Sequence, residues 1–131
     1  MGFTLVNELP TPAEILEQFP LADHLAALKK ERDEEIKKVI TGQSNKFLVI
    51  IGPCSADNED AVCDYANRLA KVQEATKDQL IIIPRVYTNK PRTTGEGYMG
   101  MLHQPDPEKK PDMLQGILAI RHMHMRVLQE T

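Results

Sequence analysis

The sequence predicts an α/β fold in which N-terminal helices precede a β-α-β unit. Two continuous apolar runs, at 47–51 and 80–86, have the composition of strands buried on both faces, as in a parallel sheet. The segment between the runs has helical spacing of its apolar residues and is long enough to be the crossover that parallel strands require. A chain of 131 residues accommodates one domain.

Two helices are predicted before the first strand. At Thr11 the start signals agree, because Thr11 can cap, Pro12 suits the first helical position and Glu14 completes a capping box. A second helix, about 22–41, carries an apolar stripe at helical spacing and is expected to stop at Gly42. Its charged residues are typical of a solvated outer face.

The crossover helix is predicted at about 59–75, with Asn58 as its cap. Pro84 donates no hydrogen bond, so we expect a bulge or an early exit from the second strand there. A long loop, 87–111, and a last helix, about 112–129 with Asp112 as its cap, follow. The predicted buried residues are Val62, Tyr65, Ala66, Leu69 and Val72 on the crossover helix, and Leu114, Ile117, Leu118, Met125 and Leu128 on the last.

Composition narrows the class of protein. The net charge of −3 argues against a general nucleic-acid binder, which usually has a basic surplus. Two cysteines, Cys54 and Cys63, match neither a disulfide framework nor a zinc-knuckle spacing. The N-terminus lacks the pattern of a secretory signal, and the apolar runs are far shorter than the ~20 residues of a spanning helix. We therefore expect a soluble cytoplasmic protein with no membrane partner.

Candidate chemistry lies where the two strands end, because ligands of parallel sheets bind beyond the carboxyl ends of the strands. The first such segment contains Cys54. The second contains Arg85, Lys90 and Arg92, with no acid between Ile81 and Gly95. Guanidinium and ammonium groups beside threonine hydroxyls are what phosphate or carboxylate oxygens need. By pattern alone, a solvated basic loop and a small buried Cys54 remain alternative interpretations.

Together the two segments resemble a known family. Ile51-Gly52-Pro53-Cys54-Ser55, followed by Arg85-Val86-Tyr87 and Lys90-Pro91-Arg92-Thr93-Thr94, is similar to the class I 3-deoxy-7-phosphoheptulonate (DAHP) synthases. The resemblance implies condensation of phosphoenolpyruvate with erythrose 4-phosphate, the entry step of the shikimate pathway to aromatic amino acids. It also implies a (β/α)8 TIM barrel and a divalent metal, for which a cysteine among harder ligands suits Mn, Fe, Co or Zn.

The resemblance assigns roles to individual residues. Cys54 would be one metal ligand. Arg85 and Lys90 would hold phosphoenolpyruvate, with Lys90 close to the reacting centre as the catalytic residue. Arg92 and Thr93 would bind erythrose 4-phosphate. The chain departs from the family at 98–100, where Tyr-Met-Gly stands for the usual Trp-Lys-Gly and a lysine near the phosphate is lost.

Length is the largest departure, because a closed barrel needs ~250 residues. We expect the N-terminal portion of the fold: a helical extension at 1–45 for oligomer and regulatory contacts, and a truncated barrel portion at 46–131. A truncated or split synthase that is inactive alone is then expected, either as a homo-oligomer or with a complementing barrel chain. The alternative is a non-catalytic remnant that acts as a binding or oligomerisation module.

Overall fold

The computed structural model describes residues 2, 4–5 and 7–131. This part of the chain is α/β, with four helices and a two-stranded parallel sheet. The strands run in register from Phe47 opposite Leu80 to Ile51 opposite Pro84. In chain order the elements are α1 (Pro12–Gln18), α2 (Asp23–Ile40), β1 (Phe47–Ile51), α3 (Glu59–Thr76), β2 (Leu80–Pro84) and α4 (Met113–Glu130).

The predicted helix ends are confirmed by their caps. Thr11 and Glu14 form the reciprocal capping box of α1. The Asn58 side chain accepts a hydrogen bond from the Ala61 amide at the start of α3, and Asp112 accepts from the Gln115 amide at the start of α4. Helix α2 stops at Gly42, whose φ of +73° is one that glycine adopts without strain.

Strand β2 is shorter than predicted and ends at Pro84 rather than at residue 86. Pro84 has no amide proton, so the early exit expected there is confirmed. The next amide, that of Arg85, still donates to the Ile51 carbonyl at 2.8 Å before the chain leaves the sheet.

The core lies between α3 and α4. Met123, which is fully buried, and Val127 pack with Val62, Cys63 and Ala66 of α3, and Ala56 and Met101 close the cluster from the loops. The prediction for α4 was wrong in detail, because the buried positions of that helix are Gly116, Met123 and Val127. Helix α4 packs on α3 and on the loop that precedes it, where a Cβ at position 116 would lie 2.0 Å from the Leu102 carbonyl oxygen. The five predicted residues of α4 are half-buried or intermediate: Leu114, Ile117, Leu118, Met125 and Leu128.

The prediction that β1 is buried on both faces is wrong for the described residues. Phe47 is 74% exposed and Ile50 is 66% exposed. Val72 of α3, also predicted to be buried, is half-exposed. A two-stranded sheet has too few neighbouring elements to cover both of its faces. The apolar composition of β1 therefore exceeds what this part of the chain can bury.

The N-terminal helices are tied to α4 by two arginines. Arg121 donates two hydrogen bonds to the Phe19 carbonyl, and Arg32 of α2 donates to Thr131. Both contacts join segments about a hundred residues apart in sequence, so α1 and α2 are held against α4. None of the helices in the described ranges combines the length and apolarity needed to cross a bilayer.

Candidate functional site

The loops that follow the two strands meet at the carboxyl edge of the sheet. The amide of Ala56, in the first loop, donates to the Tyr87 carbonyl in the second at 2.9 Å. Gly52 makes the approach closer still, because a Cβ at this position would lie 1.9 Å from the Arg85 carbonyl oxygen. Because Gly52 has no side chain, the loops that follow β1 and β2, which carry the candidate site residues, can come together.

Cys54 and Lys90 are in contact across this junction. The Lys90 ammonium donates a hydrogen bond to the Cys54 sulfur at 3.5 Å, although 36 residues separate them in sequence. Cys54 is exposed, so its sulfur can be reached from solvent. The other cysteine, Cys63, is buried in the core, and burial raises the pKa of its thiol. Of the two thiols, Cys54 is the one positioned for chemistry.

The Arg85 side chain is held at this junction by two contacts. Its guanidinium donates to the Pro53 carbonyl at 2.8 Å and lies over the Tyr87 ring, 5.0 Å from the ring centre. These contacts fix an otherwise flexible cation beside the residue that precedes Cys54. Arg85, Lys90 and Cys54 thus form one group around the first loop.

Arg92 and Thr93 lie further along the second loop. The chain folds back there: the Lys90 amide donates to the Met99 carbonyl at 2.9 Å, and the Arg92 side chain donates to the Tyr98 carbonyl at 3.0 Å. Thr93 is exposed. Among the described residues, the Arg92 side chain bonds within this fold-back rather than to Cys54. Of the five residues selected from the sequence, three are therefore joined through the first loop and two belong to the adjacent fold-back.

The site is electropositive. Within the described residues, Arg85, Lys90 and Arg92 form no salt bridge, whereas some cations elsewhere pair with acids, as Lys29 does with Asp33. A cation without a paired carboxylate keeps its hydrogen-bond donors available to an anion from solvent. The arrangement can hold the phosphate or carboxylate groups of a small ligand.

Sequence reasoning missed two hydroxyl groups at this edge. The Ser55 hydroxyl and the Tyr98 phenol are buried and have no hydrogen-bond partner among the described residues. Burial raises the pKa of Tyr98, and the negative charge of Asp57 adds to the effect, so the phenol keeps its proton at neutral pH. The position of Ser55 directly after Cys54 was the one signal that could have selected it.

A metal centre does not fit the described residues by themselves. They contain no group of three or more His, Cys, Asp or Glu side chains that could ligate a metal ion. Cys54 has an ammonium as its hydrogen-bond partner, and a catalytic metal typically needs about three protein ligands. Cys54 can supply at most one of them.

Comparison with known proteins decides the family. Residues 21–118 match the model of the DAHP synthetase I family. The chain belongs to this family. Over 100 residues it is 41% identical to the phospho-2-dehydro-3-deoxyheptonate aldolase of Haemophilus influenzae, which covers 76% of this chain and 27% of that protein. It is 35% identical over 118 residues to the Phe-sensitive phospho-2-dehydro-3-deoxyheptonate aldolase of Escherichia coli K12, covering 90% of this chain and 33% of that one.

The DAHP synthetase I fold is matched by a solved structure as well. The phospho-2-dehydro-3-deoxyheptonate aldolase of Francisella tularensis superposes on 97% of this chain with a TM-score of 0.87, at 24% identity, and the match covers 37% of that chain. The present chain therefore spans about a third of the length of the family members it matches.

Proposed function

We propose that this chain supplies the phosphoenolpyruvate-binding edge of a DAHP synthase. In that reaction phosphoenolpyruvate condenses with erythrose 4-phosphate, and inorganic phosphate is released. The observation that carries the proposal is the contact between Cys54 and Lys90, with Arg85 held beside them on the Pro53 carbonyl. Membership of the DAHP synthetase I family supports it.

The cations have separate roles in this proposal. Arg85 and Lys90 bind the phosphate and carboxylate of phosphoenolpyruvate, and Lys90 stands closest to the reacting centre. Arg92 and Thr93, on the adjacent fold-back, bind erythrose 4-phosphate. Both substrates are anions, so fixed cations offset the repulsion between them and hold them at reacting distance.

The chain needs further elements to become catalytic. We infer that residues 46–131 form the first part of a (β/α)8 barrel, and that residues 1–45 form a helical extension for oligomer and regulatory contacts. The exposed apolar side chains of β1 support this, since more strands would cover them. Cys54 then provides one ligand of a divalent metal whose other ligands come from outside the described residues, in a homo-oligomer or a complementing barrel chain.

Binding and turnover test different parts of the proposal. Calorimetric titration of the 131-residue chain should show weak phosphoenolpyruvate binding, with Kd of about 1 mM, which corresponds to a binding free energy of about −4 kcal/mol. Arg85→Ala and Lys90→Ala should each weaken it about tenfold, the effect of losing one charge-assisted hydrogen bond. Lys110→Ala is the matched control, because Lys110 is exposed and its substitution removes the same charge at the far end of the 87–111 loop, just before α4. Equal binding by the Lys90 and Lys110 variants would contradict the proposed site.

Turnover is measured as consumption of phosphoenolpyruvate in the presence of erythrose 4-phosphate and Mn²⁺. We expect none from the chain alone and activity when a chain that carries the remaining barrel strands is added. Cys54→Ala should abolish the restored activity. A non-catalytic binding or oligomerisation module is the second candidate. It is favoured because the described residues contain no group of side chains that could hold a metal, and it predicts no turnover under either condition.

A further inference from the structure

The outer edge of β2 is occupied by a side chain from α3. The Gln73 amide nitrogen donates to the Leu80 carbonyl at 3.0 Å, and the Ile82 amide donates to the Gln73 side-chain oxygen at 2.5 Å. One side-chain amide thus satisfies a carbonyl and an amide two residues apart on the same strand. A neighbouring β-strand would make the same pair of contacts with its backbone.

These two groups face away from β1. At the ends of the ladder the Phe47 amide donates to the Gln79 carbonyl, and the Arg85 amide donates to the Ile51 carbonyl. Backbone groups alternate between the two edges of a strand, so odd-numbered residues from 79 to 85 face β1 and residues 80, 82 and 84 face outward. Gln73 therefore sits at the edge where a third strand would pair.

A second feature reduces the capacity of the same edge to form hydrogen bonds with another strand. Pro84 is the next outward-facing residue, and it has no amide proton to donate. Of the three outward-facing residues of β2, Leu80 keeps its amide proton, the Ile82 amide is bonded to Gln73, and Pro84 has no amide proton. Proline and covering side chains are the means by which proteins keep an exposed strand from pairing with another chain.

Bulky packing does not close this edge. A groove of about 490 Å³ runs beside it, lined by residues of α2, α3, β2 and α4, with Ile36, Leu69 and Ile83 among its apolar members. An extended segment could therefore approach β2 from the groove. The Gln73 amide occupies the backbone groups of β2 that such a segment would bind.

We propose that Gln73 is an edge clamp that holds β2 closed to strand addition, so that a third strand pairs only after displacing it. The inference goes beyond the proposed function, to which it adds a condition: completion of a barrel on β2 requires release of the Gln73 amide. Its test uses neither substrate nor metal. Failure of that test would leave the proposed function standing, and failure of the binding and turnover tests would leave the inference about Gln73 standing.

Amide hydrogen exchange of the labelled 131-residue chain measures directly how well Gln73 protects the Ile82 amide. Gln73→Ala should accelerate exchange at Ile82 about tenfold relative to Ile83, the change produced by losing a hydrogen bond worth about 1.4 kcal/mol. Gln79→Ala is the matched control, since Gln79 is exposed and its side chain forms no hydrogen bond with the part of the chain that the structure describes.

The ratio of exchange at Ile82 to exchange at Ile83 keeps the test valid if Gln73→Ala loosens the whole chain, because global opening accelerates both amides alike. A ratio unchanged from that of the unaltered chain would overturn the inference.

Self-association of the chain tests whether an open edge of β2 pairs with another strand. The double variant Gln73→Ala/Pro84→Val frees the Ile82 amide and restores a donor at position 84. Sedimentation equilibrium should then show an average mass that rises with concentration above that of the unaltered chain and of Gln79→Ala. Equal masses for all three proteins would show that the edge is closed by something other than Gln73 and Pro84, and would overturn the clamp.

Discussion

The α-carbon of Gly52 lies against the Arg85 carbonyl, so close that a Cβ would stand 1.9 Å from the oxygen. This contact joins the end of β1 to the residue that follows β2. Cys54 and Lys90 meet two and five residues further along their segments. The packing of one glycine against one carbonyl therefore sets the distance between the two halves of the candidate site.

Gly52→Ala should destabilise the chain by about 2 kcal/mol, because the new methyl group cannot fit without moving backbone. Urea unfolding followed by circular dichroism measures the loss. Gly2→Ala serves as the control, since a Cβ there meets no atom within 4 Å. Equal stability of Gly52→Ala and the unaltered chain would show that the two loops separate at little cost.

Tyr87 should act on ligand binding through Arg85, which lies over its ring. Tyr87→Leu removes the ring and should weaken phosphoenolpyruvate binding about two- to fivefold, the range for an exposed cation–π contact. Tyr87→Phe keeps the ring and should bind as the unaltered chain does. Calorimetric titration distinguishes the two variants, and identical losses in both would assign the effect to the hydroxyl instead.

Glu59 should make the stability of the α3–α4 contact depend on pH. Burial alone would raise the pKa of Glu59, but hydrogen bonds from Arg126 and His122 outweigh it and lower that pKa below its usual value. A lowered pKa in the folded state stabilises the protein above the unfolded pKa, near 4.5, and the contribution is lost as the pH falls through the folded value.

Glu59→Gln should therefore lower the urea midpoint at pH 7, and the difference from the unaltered chain should shrink as the pH falls below about 4.5. Glu35→Gln is the control, because Glu35 is exposed and forms no ion pair among the described residues. A difference that stays constant from pH 7 to pH 3 would show that the carboxylate charge contributes nothing.

Met123→Ala should cost about 3 kcal/mol of unfolding free energy, because the side chain is fully buried and its removal leaves a cavity between α3 and α4. Met113→Ala, on the same helix but 41% exposed, should cost less than about 1 kcal/mol. Chemical denaturation of the two variants gives the comparison. Similar losses at both positions would place the core elsewhere.

Much of the fold was predictable from local patterns. The caps at Thr11, Asn58 and Asp112 were identified correctly because each depends on residues three apart in sequence. The early exit at Pro84 was predictable because proline lacks an amide proton whatever surrounds it. Burial was harder, since the choice of Met123 over Met125 as the core residue of α4 depends on which element packs against the helix.

Gln73 illustrates the same limit. Its position four residues after Leu69 places it on the apolar face of α3, which marks it as unusual. That its amide bonds both Leu80 and Ile82 depends on how α3 crosses β2, which no local pattern specifies.

The amino-acid sequence by itself determined the order of helices and strands, the family, and the presence of a thiol and three cations after the two strands, because these depend on residue types and on spacing along the chain. The tertiary structure alone decided that Lys90 reaches Cys54, that Arg85 turns back onto Pro53, and that Gln73 occupies the edge of β2. Each of these is a contact between segments far apart in sequence, and its geometry is set by the packing of whole elements rather than by the residues next to it.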